Sequence, residues 1–519
     1  MLAPSGPTSK CVIPAQGRDD IRILVNGQGN LGGGGLFPIT NAAAPRLAVE
    51  EIRLYERPVT LRMPFRFGIV TMTAAPQAFA RVRISLPDGR GAWGATAEMM
   101  VPKWFDKDPA LTNDQNFDQL RTALDIARGF YLDAGVATAF GLTAACYPSQ
   151  IAAGAERGLN SLTAAYGPAL IDRAVMDALC RVLDVPFAGA LRANLPGIAP
   201  GALAPDLAEF EIEKFLATMA SPNSIEARHT VGLTDPLTAA AADVGDGDRI
   251  GDGLPQTLED VAATYRHRYF KIKVAGDIAG DLDRLGRIAA VLDGAGREYQ
   301  ASLDGNEQYD DAAGIAELWR RMNETPGLAR FVERIIYIEQ PIARRTALAA
   351  PLGAMAGERP VVIDESDESY DIFPRARELG YRGVSSKSCK GFYKSTVNAA
   401  RCALWNRDGG GYFMTGEDLT CQAGLSVQQD LVLAASLGLT HVERNGHHYA
   451  RGMSAAAAAE QEAFARAHPD LYDPRHGTAM LRIRDGAINI ASLDVAGFAS
   501  AAEPLWSSMA EMRAPPRDG

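Results

Sequence analysis

The spacing of apolar and polar residues divides this chain of 519 residues into two textures. From Leu47, LAVEEIRLYERPVTL and AFARVRISLPDGRGAWGATAEMM read as strands, with Pro87-Asp88-Gly89 as a hairpin turn. The stretches FDQLRTALDIARGFYLDAG and LIDRAVMDALCRVLDV read as helices, the second ended by Pro186. Strands first and helices after predict a small α+β domain over 47–190, with a loop-rich joint to about 222.

After Ile225 the pattern alternates. EARHTVGL is followed by a Gly/Asp/Pro-rich loop (234–256) and a helix. YFKIKVA, EYQASLDGN, IIYIEQP, RPVVIDES, YRGVSSKS, GYFMTGED and LTHVERN follow as strand-like runs, mostly separated by helical segments. Eight such runs over some 225 residues predict parallel strands with crossover helices, closing as a barrel. MLRIRDGAINIAS predicts a hairpin at Asp485-Gly486 that returns to the first domain. The expected division is an arm (1–46), an α+β domain (47–222), a barrel (223–455) and a C-terminal segment (456–519) packing back on the α+β domain.

The arm contains Gly27, Gly29 and Gly32, which spell GxGxxG after a strand-like run. A dinucleotide fingerprint needs a helix there, and Pro38 and Pro45 break it, so the segment reads as an arm or covering loop. The net charge of −11 argues against nucleic acid and anionic membranes as partners. No apolar run approaches the 18 residues of a membrane span. Six scattered cysteines without a CxxC, and no signal-peptide pattern, predict reduced thiols and a cytoplasmic protein.

The chemistry lies at the strand ends. In YFKIKVA, Lys271 and Lys273 fall two residues apart and share one face. Alone, this reads as a solvated edge strand. Two ammonium groups so close disfavour each other's charge, which predicts a neutral lysine able to take a proton from carbon. Further strand ends carry Asp304 (SLDGN), Glu339 (YIEQP), Asp364 and Glu365 (VIDES) and Lys387 (VSSKSCK). From Lys273 onward the steps are 31, 35, 25 and 23 residues, each about one βα unit. In a barrel these ends form one mouth. Acids there also serve as helix caps, but an ordered set flanked by lysines points to a site. Converging carboxylates need a cation, and hard oxygen donors favour Mg²⁺, with Mn²⁺ as the alternative.

The order KxK, Asp, Glu, Asp-Glu-Ser, Lys resembles the enolase superfamily, and most closely its muconate lactonizing enzyme subgroup, over roughly 47–500. PFRFG, GRGAWGATAE and AVMDALCRVLDVPF resemble that family's capping domain. The resemblance implies an α/β fold, a modified (β/α)8-type TIM barrel with an N-terminal α+β capping domain. It implies metal ligands Asp304, Glu339 and Asp364, and acid/base catalysts Lys273 and Lys387 on opposite faces of the substrate. Lys271 would lower the pKa of Lys273 or hold the substrate carboxylate, and Asn306 occupies a familiar family position. Lys390-Gly391-Phe392-Tyr393 replaces the family's glycine pair, and Thr420 stands where a glutamate is common.

The implied reaction removes a proton beside a carboxylate through an enediolate, giving racemisation, epimerisation or cycloisomerisation. A lyase on the same scaffold is the alternative, and a non-catalytic binding scaffold a further one. No histidine lies between Lys273 and the eighth strand, which disfavours the branches that use a His–Asp pair. Glu365, Glu417, Asp418, His229, Phe65 and Phe67 are candidate substrate contacts, and His447-His448 reads as a solvated turn. A small-molecule carboxylate is the expected partner, and this architecture implies a homo-oligomer.

Overall fold

Every second residue of the strand Arg46–Phe67 is buried along most of its length, as its alternating sequence demands. In the computed structural model, which describes residues 44–240, 243–244 and 249–513, this strand pairs antiparallel with Val70–Ser85. That strand pairs in turn with Gly91–Met99. The hairpin turn falls at Pro87-Asp88-Gly89, closed by the Leu86 N–H donating to the Arg90 carbonyl at 2.8 Å, with Gly89 at φ +85°. The GxGxxG run lies outside the described residues.

Helices Asn113–Asp133, Ala139–Glu156 and Ser161–Leu183 cover this sheet. Thr112 starts the first with a capping box to Gln115. The last runs directly over the third strand: a Cβ on Gly94 would stand 2.1 Å from the Ala174 carbonyl, so only glycine fits there. Ala139–Glu156 is absent from the sequence reading, because Pro148 and a run of small residues obscure its period.

All eight strand-like runs become barrel strands: Ser224–Val231, Tyr269–Lys273, Gln300–Asp304, Ile335–Glu339, Val361–Ile363, Gly383–Ser386, Phe413–Gly416 and His441–Arg444. Each pairs parallel with the next, and the eighth returns to the first from His441↔Glu226 to Arg444↔His229, closing the barrel. Crossover helices follow most strands, for example Ile278–Gly294, Ala312–Glu324 and Phe392–Trp405. After the fourth strand only short turns of helix occur, such as Arg344–Ala347. The fold is therefore a modified (β/α)8 barrel with an N-terminal α+β cap.

The expected C-terminal hairpin turns at Asp485-Gly486 but does not return to the cap. Ala487–Asn489 adds antiparallel to the first barrel strand, and Met480–Leu481 pairs with Tyr472–Asp473. The chain reaches the cap later, where Phe498 stacks on Phe187 at 3.8 Å and Ala510–Glu511 pairs with Tyr55 and Glu56. Among the described residues the five cysteines are free and buried, and no helix is long and apolar enough to cross a membrane.

Asp172 gives the cap a testable pH dependence. It is buried, accepting from the Tyr131 hydroxyl at 2.5 Å and the Thr143 hydroxyl at 2.7 Å. Burial pushes its carboxyl up to about 7 despite these donors. A carboxyl raised in the folded state favours folding fully below its unfolded value and loses that contribution as pH rises through its folded value. Denaturant unfolding should therefore show stability falling between about pH 4 and pH 7, by on the order of 4 kcal/mol for this group. Asp172→Asn should flatten that decline, and an unchanged slope would contradict the assignment.

Candidate active site

The eight barrel strands all place a charged or polar side chain at their carboxyl end, just before it or just beyond it. Strand alternation decides which ones face inward. On the first strand, Arg228 donates to Glu417 and to the Gly416 carbonyl (2.7 Å), and Thr230 donates to Glu443. Both therefore point into the barrel. His229 lies between them and points outward, away from the position of a substrate contact expected from the sequence.

Lys271 stands at the centre. Its Nζ is 2.9 Å from Asp304, 2.8 Å from Glu339, 2.7 Å from Glu417 and 3.1 Å from Glu443. Lys273 donates to Asp304 at 2.6 Å, onto the same Oδ2 that Lys271 contacts. Lys387 donates to Asp364 Oδ2 at 2.5 Å, and Lys390 approaches the other oxygen at 3.4 Å. All of these side chains are buried.

The charges answer one another. Burial alone would lower the Lys271 ammonium, but Asp304, Glu339, Glu417 and Glu443 outweigh it and hold it well above the usual lysine value. The expected neutral lysine of the pair is therefore not Lys271. Burial would likewise lower Lys387, and Asp364 holds it up instead. Burial would raise the Asp304 carboxyl, yet Lys271 and Lys273 keep it below the ordinary range. Glu417 is brought down to about 2, against burial, by Arg228 and Lys271. Glu339 is the exception: burial, then repulsion from Asp304 and Glu417, push it well above the carboxylate range.

That exception bears on a metal. Glu339 Oε2 is buried with no hydrogen-bond partner, and Asp304 and Asp364 are among its acidic neighbours. Such a donor set fits a hard divalent cation. Asp304, Glu339 and Asp364 are each turned onto a lysine, and their oxygens do not all lie within 4.8 Å of one another. A cation held there would exchange lysine contacts for metal contacts.

The other expected residues are placed unequally. Asn306 donates its side chain to Glu365 at 3.0 Å and its N–H to Asp304 at 2.8 Å, so both it and Glu365 border the carboxylates. Glu417 faces inward. Asp418 does not: its oxygens accept from the Cys421 and Asn445 amides, both at 2.9 Å, and from Arg444 at 3.1 Å, which commits it to holding loops. Phe65 stacks on Tyr449 at 4.2 Å, with Phe67 5.1 Å away, at the tip of the cap hairpin above the mouth. His447 and His448 are buried, not a solvated turn. Sequence reasoning missed Arg228, Glu443 and Lys390. Glu443 was findable, since it ends the eighth strand as Glu339 ends the fourth.

The cap closes over this ring. Trp104 lays its ring 4.3 Å from Lys387 Nζ. Lys107 donates to the Asn306 carbonyl at 2.6 Å and pairs with Glu307 at 2.7 Å. Glu98, buried on the third cap strand, pairs with Arg173 at 3.0 Å and accepts from Ser388 at 2.9 Å, joining cap to barrel beside Lys387.

No sequence-family model matches the chain, and no curated protein matches it. Solved structures do. A muconate lactonizing enzyme from Pseudomonas fluorescens, in complex with muconolactone, is similar at TM-score 0.53 and 16% identity, covering 89% of this chain and 97% of its own. An enolase from Bradyrhizobium, in complex with magnesium and mandelic acid, is similar at TM-score 0.54 and 15% identity, covering 89% and 97%. The fold of this chain is similar to that of these solved structures. A superfamily member from Roseovarius nubinhibens in complex with magnesium is similar at TM-score 0.53 and 17% identity, covering 88% and 96%. At these identities the likeness to the enolase superfamily concerns the fold, and the chemistry rests on the residues above.

Lys271→Met tests the charge balance directly. It leaves four buried carboxylates without their shared cation, so stability should fall by about 3–5 kcal/mol in denaturant unfolding. Millimolar Mg²⁺ should recover part of the loss. A variant as stable as the parent would show that Lys271 is not the central counterion.

Proposed function

We propose that this chain is a divalent-metal-dependent isomerase that removes and returns a proton beside a carboxylate. The observation that carries the reading is the paired arrangement of Lys273 on Asp304 and Lys387 on Asp364, on strands two and three and strands six and five. Each lysine is buried, and each is bonded to a carboxylate of the set suited to a cation. The known relatives supply a fold-level precedent only.

Asp304, Glu339 and Asp364 are the residues that would hold Mg²⁺, or Mn²⁺ in its place. When bound, the cation supplies positive charge against the second negative oxygen that develops on the substrate carboxylate. With Asp304 and Asp364 engaged by a cation, Lys273 and Lys387 would lose their ion-pair partners, which would make a neutral amine accessible to one of them. Its Nζ accepts the proton as the C–H bond breaks. The other lysine, as ammonium, returns a proton from the opposite side, and the configuration at carbon is inverted. Lys271 keeps its charge and holds Glu417 and Glu443 in place. Trp104 and the cap hairpin exclude water, which strengthens each of these interactions.

Incubation with carboxylates (N-acyl amino acids, dipeptides and aliphatic acids) in D₂O with Mg²⁺ tests this. Deuterium should enter the α position of at least one compound and should require the metal. Lys273→Ala and Lys387→Ala should each abolish isomerisation, by at least about a thousandfold. One of the two should retain exchange on a single enantiomer. Absence of exchange with every class of acid, with Mg²⁺ present, would refute the reading.

A further inference from the structure

Four of the seven histidines meet on the outer face of the barrel, at the seam where it closes. His229 lies on the first strand, His267 just ahead of the second, and His447 and His448 in the short helix Gly446–Tyr449 after the eighth. These three strands are neighbours. The His229 ring centroid is 5.3 Å from His267, 5.7 Å from His447 and 4.9 Å from His448. One ligand nitrogen each from His229, His267 and His447 lie within 4.8 Å of one another, the only such set of His, Cys, Asp or Glu among the described residues.

The hydrogen bonding of these rings is incomplete. His229 is 1% exposed, His267 3% and His447 6%. Nevertheless His229 Nδ1, His267 Nε2 and both nitrogens of His447 have no partner. Buried polar atoms are seldom left so, and four in one place require an explanation. His267 Nδ1 lies 3.0 Å from the Ala227 carbonyl, which only accepts. Nδ1 therefore carries the proton, and the partnerless Nε2 carries the lone pair, the orientation that a backbone carbonyl imposes on a metal-binding imidazole. Burial lowers all three rings below the ordinary histidine value, His267 to about 4. Tyr265 and Phe270 wall the cluster, at 5.3 Å from His447 and 6.1 Å from His267.

We propose that His229, His267 and His447 form a metal site, separate from the strand-end carboxylates, for a divalent transition ion of the zinc class. Three imidazoles without a carboxylate suit Zn²⁺ or its neighbours and disfavour Mg²⁺. At metal–nitrogen distances of about 2.0–2.1 Å the three nitrogens stand about 3.4 Å apart, so loading draws the rings inward. A fourth position stays open. The ion would cross-link the first strand, the entry to the second and the exit of the eighth. It also anchors the helix that bears Tyr449, on which Phe65 of the cap hairpin stacks.

Co²⁺ is the probe. Full-length protein, stripped with chelator and saturated with Mg²⁺ to occupy the carboxylates, should retain one Co²⁺ per chain after desalting. It should show visible ligand-field absorption that Zn²⁺ abolishes. His447→Gln and His267→Gln should weaken retention at least about tenfold, while Asp364→Asn should not alter it. A parent protein without the band, a band surviving both histidine variants, or one lost in Asp364→Asn would overturn the proposal. If the histidine variants do not fold, the parent decides: its melting temperature should rise with Zn²⁺ under the same Mg²⁺ excess, and an unchanged value would overturn the site.

Discussion

Lys271 keeps its charge in a place where burial alone would remove it, because four carboxylates from four different strands each put an oxygen within 3.1 Å of Nζ. At an effective dielectric near 20, each attraction is worth about 5 kcal/mol, against a burial cost of several kcal/mol per ion. The attractions win, but only while all the partners are present. The acids depend on the lysine in the same way. Asp304, Glu339, Glu417 and Glu443 would otherwise repel one another inside a closed barrel. The carboxyl end is thus assembled as one electrostatic unit, and Glu339, with an oxygen still unsatisfied, is where that unit has room for more positive charge.

The cap extends the same logic to the other half of the mouth. Lys387 is held from below by Asp364 and from above by the face of Trp104. Glu98 ties the cap helix residue Arg173 to Ser388, the residue next to Lys387. A shift of the cap therefore disturbs the environment of one of the two proposed acid/base groups. Substrate selection, on this view, falls to the loop bearing Trp104 and to the hairpin tip bearing Phe65 and Phe67, since both lie over the site without forming its charged floor.

Much of the scaffold was legible from the order of residues, because buried parallel strands leave continuous apolar runs that crossover helices separate at regular spacing. The charged strand ends were legible for the same reason: a charge that ends a buried run is conspicuous. Direction within a strand was harder. EARHTVGL offers Arg228 and His229 with equal claim to the interior, and only the partners on strands seven and eight show that Arg228 faces in. The acids that keep Lys271 charged were not legible as its partners, because three of the four lie 68 or more residues away. Asp418 looked like Glu417's equal until its backbone partners were visible. The histidine cluster was invisible, since its members are distant in sequence and converge only when the barrel closes.

The central claim is that Asp304, Glu339 and Asp364 share a divalent cation within this ring of lysines. A crystal structure grown with Mn²⁺, with anomalous scattering recorded at the manganese edge, tests it most directly. The account predicts a strong peak within coordinating distance, about 2.0–2.4 Å, of oxygens from all three residues. It also predicts that Lys273 and Lys387 move off Asp304 and Asp364 to face the open side of the ion. Absence of a peak there at saturating Mn²⁺, with Lys271 still bridging the carboxylates, would contradict it.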